Sequence, residues 1–233
     1  MKSRILVLTI LITAFLFSNA VLAEEEKRDV APFSKIALKI DAKVYIEQDD
    51  EQVIRVVAGE ETLEQIITEV KSRTLTIRYP TKNMFKNWNP GKVEIYITVP
   101  DIDVLNVSGS GDVMAEELKS RILDLTVSGS GTIQIEELKS ETLSVNLSGS
   151  GKIEIEEGDL IESLKIRTSG SGKFDAGEME ANKVDVVTSG SGSAYVNSNG
   201  EIKARVSGSG NVYYSGNPAI DSSVAGSGGV KKR

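Results

Sequence analysis

Histidine and cysteine are both missing from this chain of 233 residues. The commonest general base, the commonest nucleophilic thiol and the usual zinc ligands go with them. Chemistry, if there is any, must rest on carboxylates, hydroxyls and aromatic rings. Asp175 and Asp185, with Glu178 and Glu180 between them, are the carboxylates whose spacing could serve acid–base attack on a glycosidic bond, as in lyases and hydrolases built on β-helices. A second group recurs along the chain: Glu117, Glu137 and Glu157 form one row, and Glu116, Glu136 and Glu156 another. Stacked one layer apart, like charges repel unless they are bridged. The plain reading is a solvated acidic row relieved by Lys119 and Lys139. The sharper one is a weak cation site, since carboxylates suit Ca²⁺. The third group is the loop from Lys82 to Gly91, which holds Phe85 and the single tryptophan, Trp88. Aromatic rings on a polar loop suit sugar faces or a protein partner, or else they fold over an edge of the core. Outward Asp and Glu are common on any soluble repeat protein, so catalysis is the alternative reading and not the leading one. No cofactor is called for.

The elements that must position these residues are set by a repeat. Ser-Gly-Ser-Gly starts at Ser108, Ser128, Ser148, Ser169, Ser189 and Ser207, and a degenerate copy starts at Ala225. The intervals are 20, 20, 21, 20, 18 and 18 residues. Periods of this size mark solenoids. The flanks repeat too. Leu123-Asp124-Leu125-Thr126-Val127 precedes one copy and Ile133-Gln134-Ile135-Glu136 follows it. Leu143-Ser144-Val145-Asn146-Leu147 and Ile153-Glu154-Ile155-Glu156 do the same one period later. Both flanks alternate apolar and polar residues, which is the strand pattern. Each unit therefore reads as strand, corner, strand and connection, with Leu123, Leu125, Val127, Ile133, Ile135 and Leu138 pointing inward. The corner glycines are Gly109, Gly111, Gly129, Gly131, Gly149, Gly151, Gly170, Gly172, Gly190, Gly192, Gly208 and Gly210. A tight corner needs residues that accept positive φ and close backbone approach, and regular spacing with alternating flanks argues against a flexible linker.

One such unit cannot bury enough apolar surface to fold alone, so the units must stack and share a core. The expected fold is all-β: a single-stranded, right-handed parallel β-helix of about 20-residue rungs. Ala176, Ala181, Ala194 and Ala204 stand where earlier units have larger residues, so the coil should thin toward its end, with Tyr195, Tyr213 and Tyr214 covering it. Lys231-Lys232-Arg233 gives a basic end that should discourage stacking of the last layer.

Residues 24–106 lack the tetrapeptide but keep the strand rhythm, and form a more irregular β region continuous with the repeat of residues 107–233. Thr62 and Gln65 suggest a capping box and a short turn of helix, followed by a hairpin through Ile67–Val70 and Leu75–Arg78. Residues 1–23 have the layout of a secretory signal peptide, with Lys2 and Arg4, an apolar run from Ile5 to Phe17, and Val21-Leu22-Ala23 as the cleavage site. The run is short for a membrane anchor, and the acidic Glu24-Glu25-Glu26 follows at once. Without it, 25 basic residues face 34 acidic ones, a balance of −9. That excludes the electrostatic footprint of a nucleic-acid or anionic-membrane binder. A secreted or periplasmic chain, not inserted in the membrane after cleavage, is expected.

Taken in order, Arg28-Asp29-Val30 with Phe33, Val44-Tyr45-Ile46-Glu47-Gln48, Leu75-Thr76-Ile77, Val93 to Pro100, the Ser-Gly-Ser-Gly ladder and Asn211-Val212-Tyr213-Tyr214 resemble the putative auto-transporter adhesin, head GIN domain family of bacterial secreted proteins. The resemblance spans essentially the whole mature chain and implies a β-helical fold. It brings no catalytic residues. The chain shows no translocator barrel, which sets it apart from a true autotransporter. The expected function is a non-catalytic, adhesin-like binding or structural module. Its candidate partners are glycans, envelope polymer or other proteins, and its exposed ends admit end-to-end oligomers. The alternatives are a carbohydrate-active enzyme on the same fold and a passive envelope spacer or self-assembling unit.

Overall fold

The computed structural model describes residues 23–80 and 89–233. All of the expected leader except Ala23 lies outside them, as do Phe85 and Trp88. Strands take up 68% of the chain and helix 3%, in a β-solenoid of about 6 turns.

The amino-terminal part contains β1 (Glu24–Lys27), β2 (Lys35–Leu38), β3 (Lys43–Gln48), β4 (Val53–Ala58), α1 (Glu60–Gln65), β5 (Ile67–Lys71), β6 (Thr74–Arg78) and β7 (Glu94–Val99). The repeat begins with β8 (Val104–Gly109) and β9 (Asp112–Lys119). It continues through β10 (Ile122–Gly129), β11 (Thr132–Lys139), β12 (Thr142–Gly149), β13 (Lys152–Gly158), β14 (Ile161–Gly170) and the long β15 (Lys173–Gly190). Then come β16 (Ser193–Asn197), β17 (Glu201–Gly208), β18 (Asn211–Ser215), β19 (Ala219–Ala225) and β20 (Gly229–Lys232).

Each turn puts the strand before the corner in one sheet and the strand after it in the other. Sheet A runs β1-β4-β7-β3-β9-β11-β13-β15-β16-β18-β20. Sheet B runs β5-β6-β2-β8-β10-β12-β14-β15-β17-β19. The first half of β15 lies in sheet A and its second half in sheet B. Period-two alternation sends one set of side chains between the sheets: Leu123, Leu125, Val127, Ile133, Ile135 and Leu138 are all fully buried. Equivalent residues stack directly, Leu123 on Leu143 and Ile133 on Ile153.

The corners hold this register although the intervals differ. Ser148 pairs with Ser169 across the 21-residue interval, and Ser189 pairs with Ser207 across 18. The connections absorb the difference; Leu160, 56% exposed, sits in the longer one. The two glycines of a corner are needed for different reasons. Gly129 has φ +132°, and a Cβ there would come within 2.3 Å of the Gly109 carbonyl oxygen. That oxygen accepts hydrogen bonds from the backbone N–H groups of Ser130 (2.9 Å) and Gly131 (3.0 Å). Gly131 needs no unusual φ, but a Cβ there would stand 2.2 Å from the Gly111 oxygen and 2.8 Å from Val107 Cγ1. The chain passes over the rung below with no room for a side chain.

The core thins as expected. Ala176, Ala181, Ala194 and Ala204 are all buried, and Phe174, the largest fully buried side chain, fills space among them. Tyr195 and Tyr213 do not cover that core; they stack on each other on the outer face of sheet A, 4.8 Å apart. Tyr214 alone of the three packs partly against the core.

The amino-terminal part departs from a simple coil. The rung made by β2 and β3 lies between β6–β7 and β8–β9, so spatial order is not chain order. β4 turns back antiparallel to β7 and carries β1 on its far edge. The β5–β6 hairpin is antiparallel, with Ser72 and Arg73 both at positive φ (51° and 61°) in its turn, as a tight hairpin twist demands. The capping box at Thr62 does not form. Gly59 is the N-cap, and Thr62 sits buried inside the first turn, where its hydroxyl donates to the Pro90 carbonyl at 2.9 Å. Thr62 ties α1 to the segment entering β7 instead of starting the helix.

Candidate functional site

Because the rungs are in register, outward residues of sheet A form rows across it. One row runs Lys27, Arg55, Tyr96, Tyr45, Met114, Gln134, Glu154, Asp175, Tyr195, Tyr213, Lys231. Aromatic pairs stand near both ends. Tyr45 and Tyr96 are 5.1 Å apart and 14° from parallel. The Arg55 guanidinium lies 5.1 Å from the centre of the Tyr96 ring, a cation–π contact that fixes the outer ring. At the other end Lys173 lies 4.7 Å and Arg233 5.7 Å from the Tyr195 ring.

A groove of about 860 Å³ opens at the first pair. Tyr45, Tyr96, Met114, Arg55, Gln48 and Pro100 line it, together with acidic residues that include Glu47, Asp49, Asp101 and Glu117. Its origin is local. The β3–β9 ladder ends at Ile46 and Ala115. Beyond that point the Gln48 side chain takes the place of strand pairing: its amide donates to the carbonyls of Pro100 (3.2 Å) and Lys119 (3.1 Å) and accepts from the Lys119 N–H. Strands that part company and are spanned by one amide leave a depression lined by half-buried rings, a thioether, amides and a rim of carboxylates.

The glutamate row also forms. Glu137 pairs in register with Glu117 on one side and Glu157 on the other. Lysines bridge it: Lys119 and Lys139 contact Glu117 at 2.8 and 2.9 Å, and Lys139 also contacts Glu137 at 2.9 Å. The hydrogen bonds from Lys119 and Lys139 bring the Glu117 carboxyl down to about 2, and those to Glu117 and Glu137 raise Lys139. Among the described residues no group of three or more acidic side chains gathers as a metal site would require.

The carboxylates weighed for catalysis are separated. Asp175 faces outward on sheet A, paired with Lys173 at 2.8 Å. Asp185 faces outward on sheet B, between Lys165 and Lys203. Side chains on opposite faces cannot flank one bond, so this pair is no acid–base couple. Glu178 contacts Arg233 at 3.4 Å, and Glu180 accepts from the Asn199 amide at 2.9 Å.

Comparison with known proteins agrees with this architecture. The profile of the putative auto-transporter adhesin, head GIN domain matches residues 32–218. The chain belongs to that family. A crystal structure named as a putative adhesin from Bacteroides fragilis superposes with a TM-score of 0.83 at 26% identity, covering 91% of this chain and 97% of the other. A putative adhesin from Parabacteroides merdae gives 0.72 at 21% identity, over 91% and 96%. A putative lipid binding protein from Parabacteroides distasonis gives 0.73 at 24%, over 91% and 97%. The last two likenesses speak for the fold alone. No curated protein matches. No helix among the described residues is long and apolar enough to cross a membrane.

The tyrosine row of this family member is what inspection of the sequence missed. Val44-Tyr45-Ile46 and Ile95-Tyr96-Ile97 each set one aromatic ring in the polar phase of an apolar alternation. That signal is present in the sequence, but the two strands become neighbours only through the out-of-order rung.

Proposed function

We propose that this protein is an exported, non-catalytic, adhesin-like module that holds a glycan chain in the groove on the outer face of sheet A. The observation that carries this reading is the stacked Tyr45–Tyr96 pair opening onto a groove of about 860 Å³. Aromatic surface takes the apolar face of a sugar ring, and the Gln134 amide on the same face can exchange hydrogen bonds with sugar hydroxyls. Residues 1–23 serve as the export leader, and the carboxylates serve solubility and rung-to-rung bridging. The family's adhesin description and the name of the Bacteroides fragilis structure support a binding role.

The test is a screen of glycans and envelope polymers against the purified protein, followed by calorimetry with the best binder. Tyr45→Ala with Tyr96→Ala should weaken binding about tenfold or more, as loss of a stacked aromatic contact typically does. Tyr195→Ala with Tyr213→Ala, at the far end of the row, serves as the control. Binding that survives loss of Tyr45 and Tyr96, or a screen with no binder, would sink the reading.

A further inference from the structure

The two ends of the solenoid carry opposite charge, and each exposes a strand edge that is unpaired among the described residues. At the amino-terminal end, β1 is the edge of sheet A, and its Glu24, Glu25 and Glu26 are exposed. Glu60, Glu61 and Glu64 of α1 are exposed beside it, α1 being in contact with β1 and β4. Arg28 pairs with Glu26 and Arg55 with Glu25. Glu24, Glu60, Glu61 and Glu64 have no ion-pair partner among the described residues. At the other end, β20 is the edge of the same sheet, with Lys231, Lys232 and Arg233 exposed. Beside it every residue of β19 is exposed, and its inward-phase Ile220 and Val224 remain 41% and 43% accessible. They stack on the buried Ile202 and Val206, and nothing stacks on them among the described residues.

We propose that a second copy of this chain docks head to tail, its acidic amino-terminal edge on the basic β19–β20 edge of the first. Strand direction permits this. β1 is antiparallel to β4 and β4 to β7, so β1 runs the same way as β7 and the rest of sheet A. Set against β20, the β1 strand of the next copy extends sheet A in parallel and sets Glu25 and Glu26 near Lys231 and Lys232. The docking edges supply the unpaired N–H and C=O groups that a lone edge leaves open, and it covers Ile220 and Val224. Charge selects the polarity: tail-to-tail contact would oppose Lys231, Lys232 and Arg233 to themselves, and head-to-head contact would oppose the glutamates. The basic tail therefore blocks one mode of stacking and favours another. A heterologous contact of this kind does not close on itself, so the product is a linear array.

Sedimentation velocity on the purified protein tests this. The wild type should associate as concentration rises from micromolar to submillimolar, and association should weaken about tenfold or more when salt is raised from low to molar strength. Two double variants decide the polarity. Lys231→Glu with Lys232→Glu spoils the tail only; Glu61→Lys with Glu64→Lys spoils the head only. All four positions are exposed, so circular dichroism should report an unchanged fold for both. Each variant alone should be monomeric, and their mixture should associate again, because the sound tail meets the sound head and the two reversed edges are also opposite in charge. A wild type that stays monomeric at low salt overturns the proposal. So does self-association of the head variant alone, which would mean tail-to-tail contact. Neither result touches the glycan groove, which lies on the outer face of sheet A.

Discussion

At one end of the solenoid Ile54 of β4, Leu63 of α1 and Ile66 just after that helix join the core, each at most 5% exposed. At the other, Ile220 and Val224 occupy inward positions and are still 41% and 43% accessible. Both ends face the same physical problem. A solenoid rung is satisfied by the rungs on either side, and the terminal one lacks a neighbour. The amino-terminal end covers its core by leaving the repeat, although the β1 edge stays unpaired among the described residues: strands reverse direction, a helix is inserted, and Thr62 ties that helix to Pro90. The other end keeps to the repeat to its last described strand and stays accessible. Irregularity is the signature of a cap, and regularity up to the edge is the signature of a surface that can be extended.

The largest effect that would break this comparison comes from the interior, where a rung has neighbours on both sides. Gly131→Val should lower stability by about 4 kcal/mol or prevent folding, because a side chain there must displace the Gly111 carbonyl and Val107 together. Gly228→Val meets a similar obstruction at Gly210 and Val206. It lies between β19 and β20, however, so only the last rung should fray. Denaturation midpoints and amide exchange along the chain would show the contrast. Equal losses for the two substitutions would mean that the last rung is as cooperative as the middle ones.

Truncation of apolar side chains sharpens the same point. Leu63→Ala removes a buried cap residue and should cost about 2–4 kcal/mol. Ile220→Ala should cost less than about 1 kcal/mol in dilute solution, since much of its side chain is already in water. The measurement is urea unfolding at a concentration where the protein is monomeric. A cost for Ile220 that matched Leu63 would show the open end to be closed in solution.

The parts of this structure that were legible from the sequence are those whose interactions repeat. The corner glycines recur at near-constant intervals because each must fit over the one below, and Leu123 through Leu138 alternate because each has the same neighbours one period away. The amino-terminal end was not legible for the same reason inverted. Nothing in Val44-Tyr45-Ile46 says that its neighbours are Ile95-Tyr96-Ile97 on one side and Val113-Met114-Ala115 on the other. Those partners are far away in the chain and come together through a reversal at β4 and a hairpin at β5–β6. The Tyr45–Tyr96 pair is a product of that pairing, so the groove was hidden with it. Thr62 shows the same limit in miniature: its spacing to Gln65 fits a cap, but its hydroxyl is drawn to Pro90, a partner that local pattern cannot supply.

The smallest expected effect concerns how charge links the rungs near each end. Toward the capped end, Lys139 of β11 reaches across to Glu117 of β9, so the bridge exists only when the rungs are stacked. Toward the open end, Lys203 pairs with Glu201 on its own strand, two residues away, where the unfolded chain also keeps them close. Lysine hydrogen bonds lower both carboxyls, Glu117 from 4.5 to about 2. A carboxyl lowered on folding contributes stability that is full above its unfolded value and is lost as pH falls through the folded one. For Glu117 that window runs from 4.5 down to about 2. Both side chains are exposed, so solvent and salt shrink the effect. Melting temperature followed across that window at low salt should fall less steeply in Glu117→Gln than in the wild type, and Glu201→Gln should change the slope less than Glu117→Gln does. Added salt should flatten the difference. If Glu201→Gln changed the acid slope as much as Glu117→Gln, contact between rungs would add nothing to a pair within one strand, and the electrostatic side of the contrast between the two ends would fall.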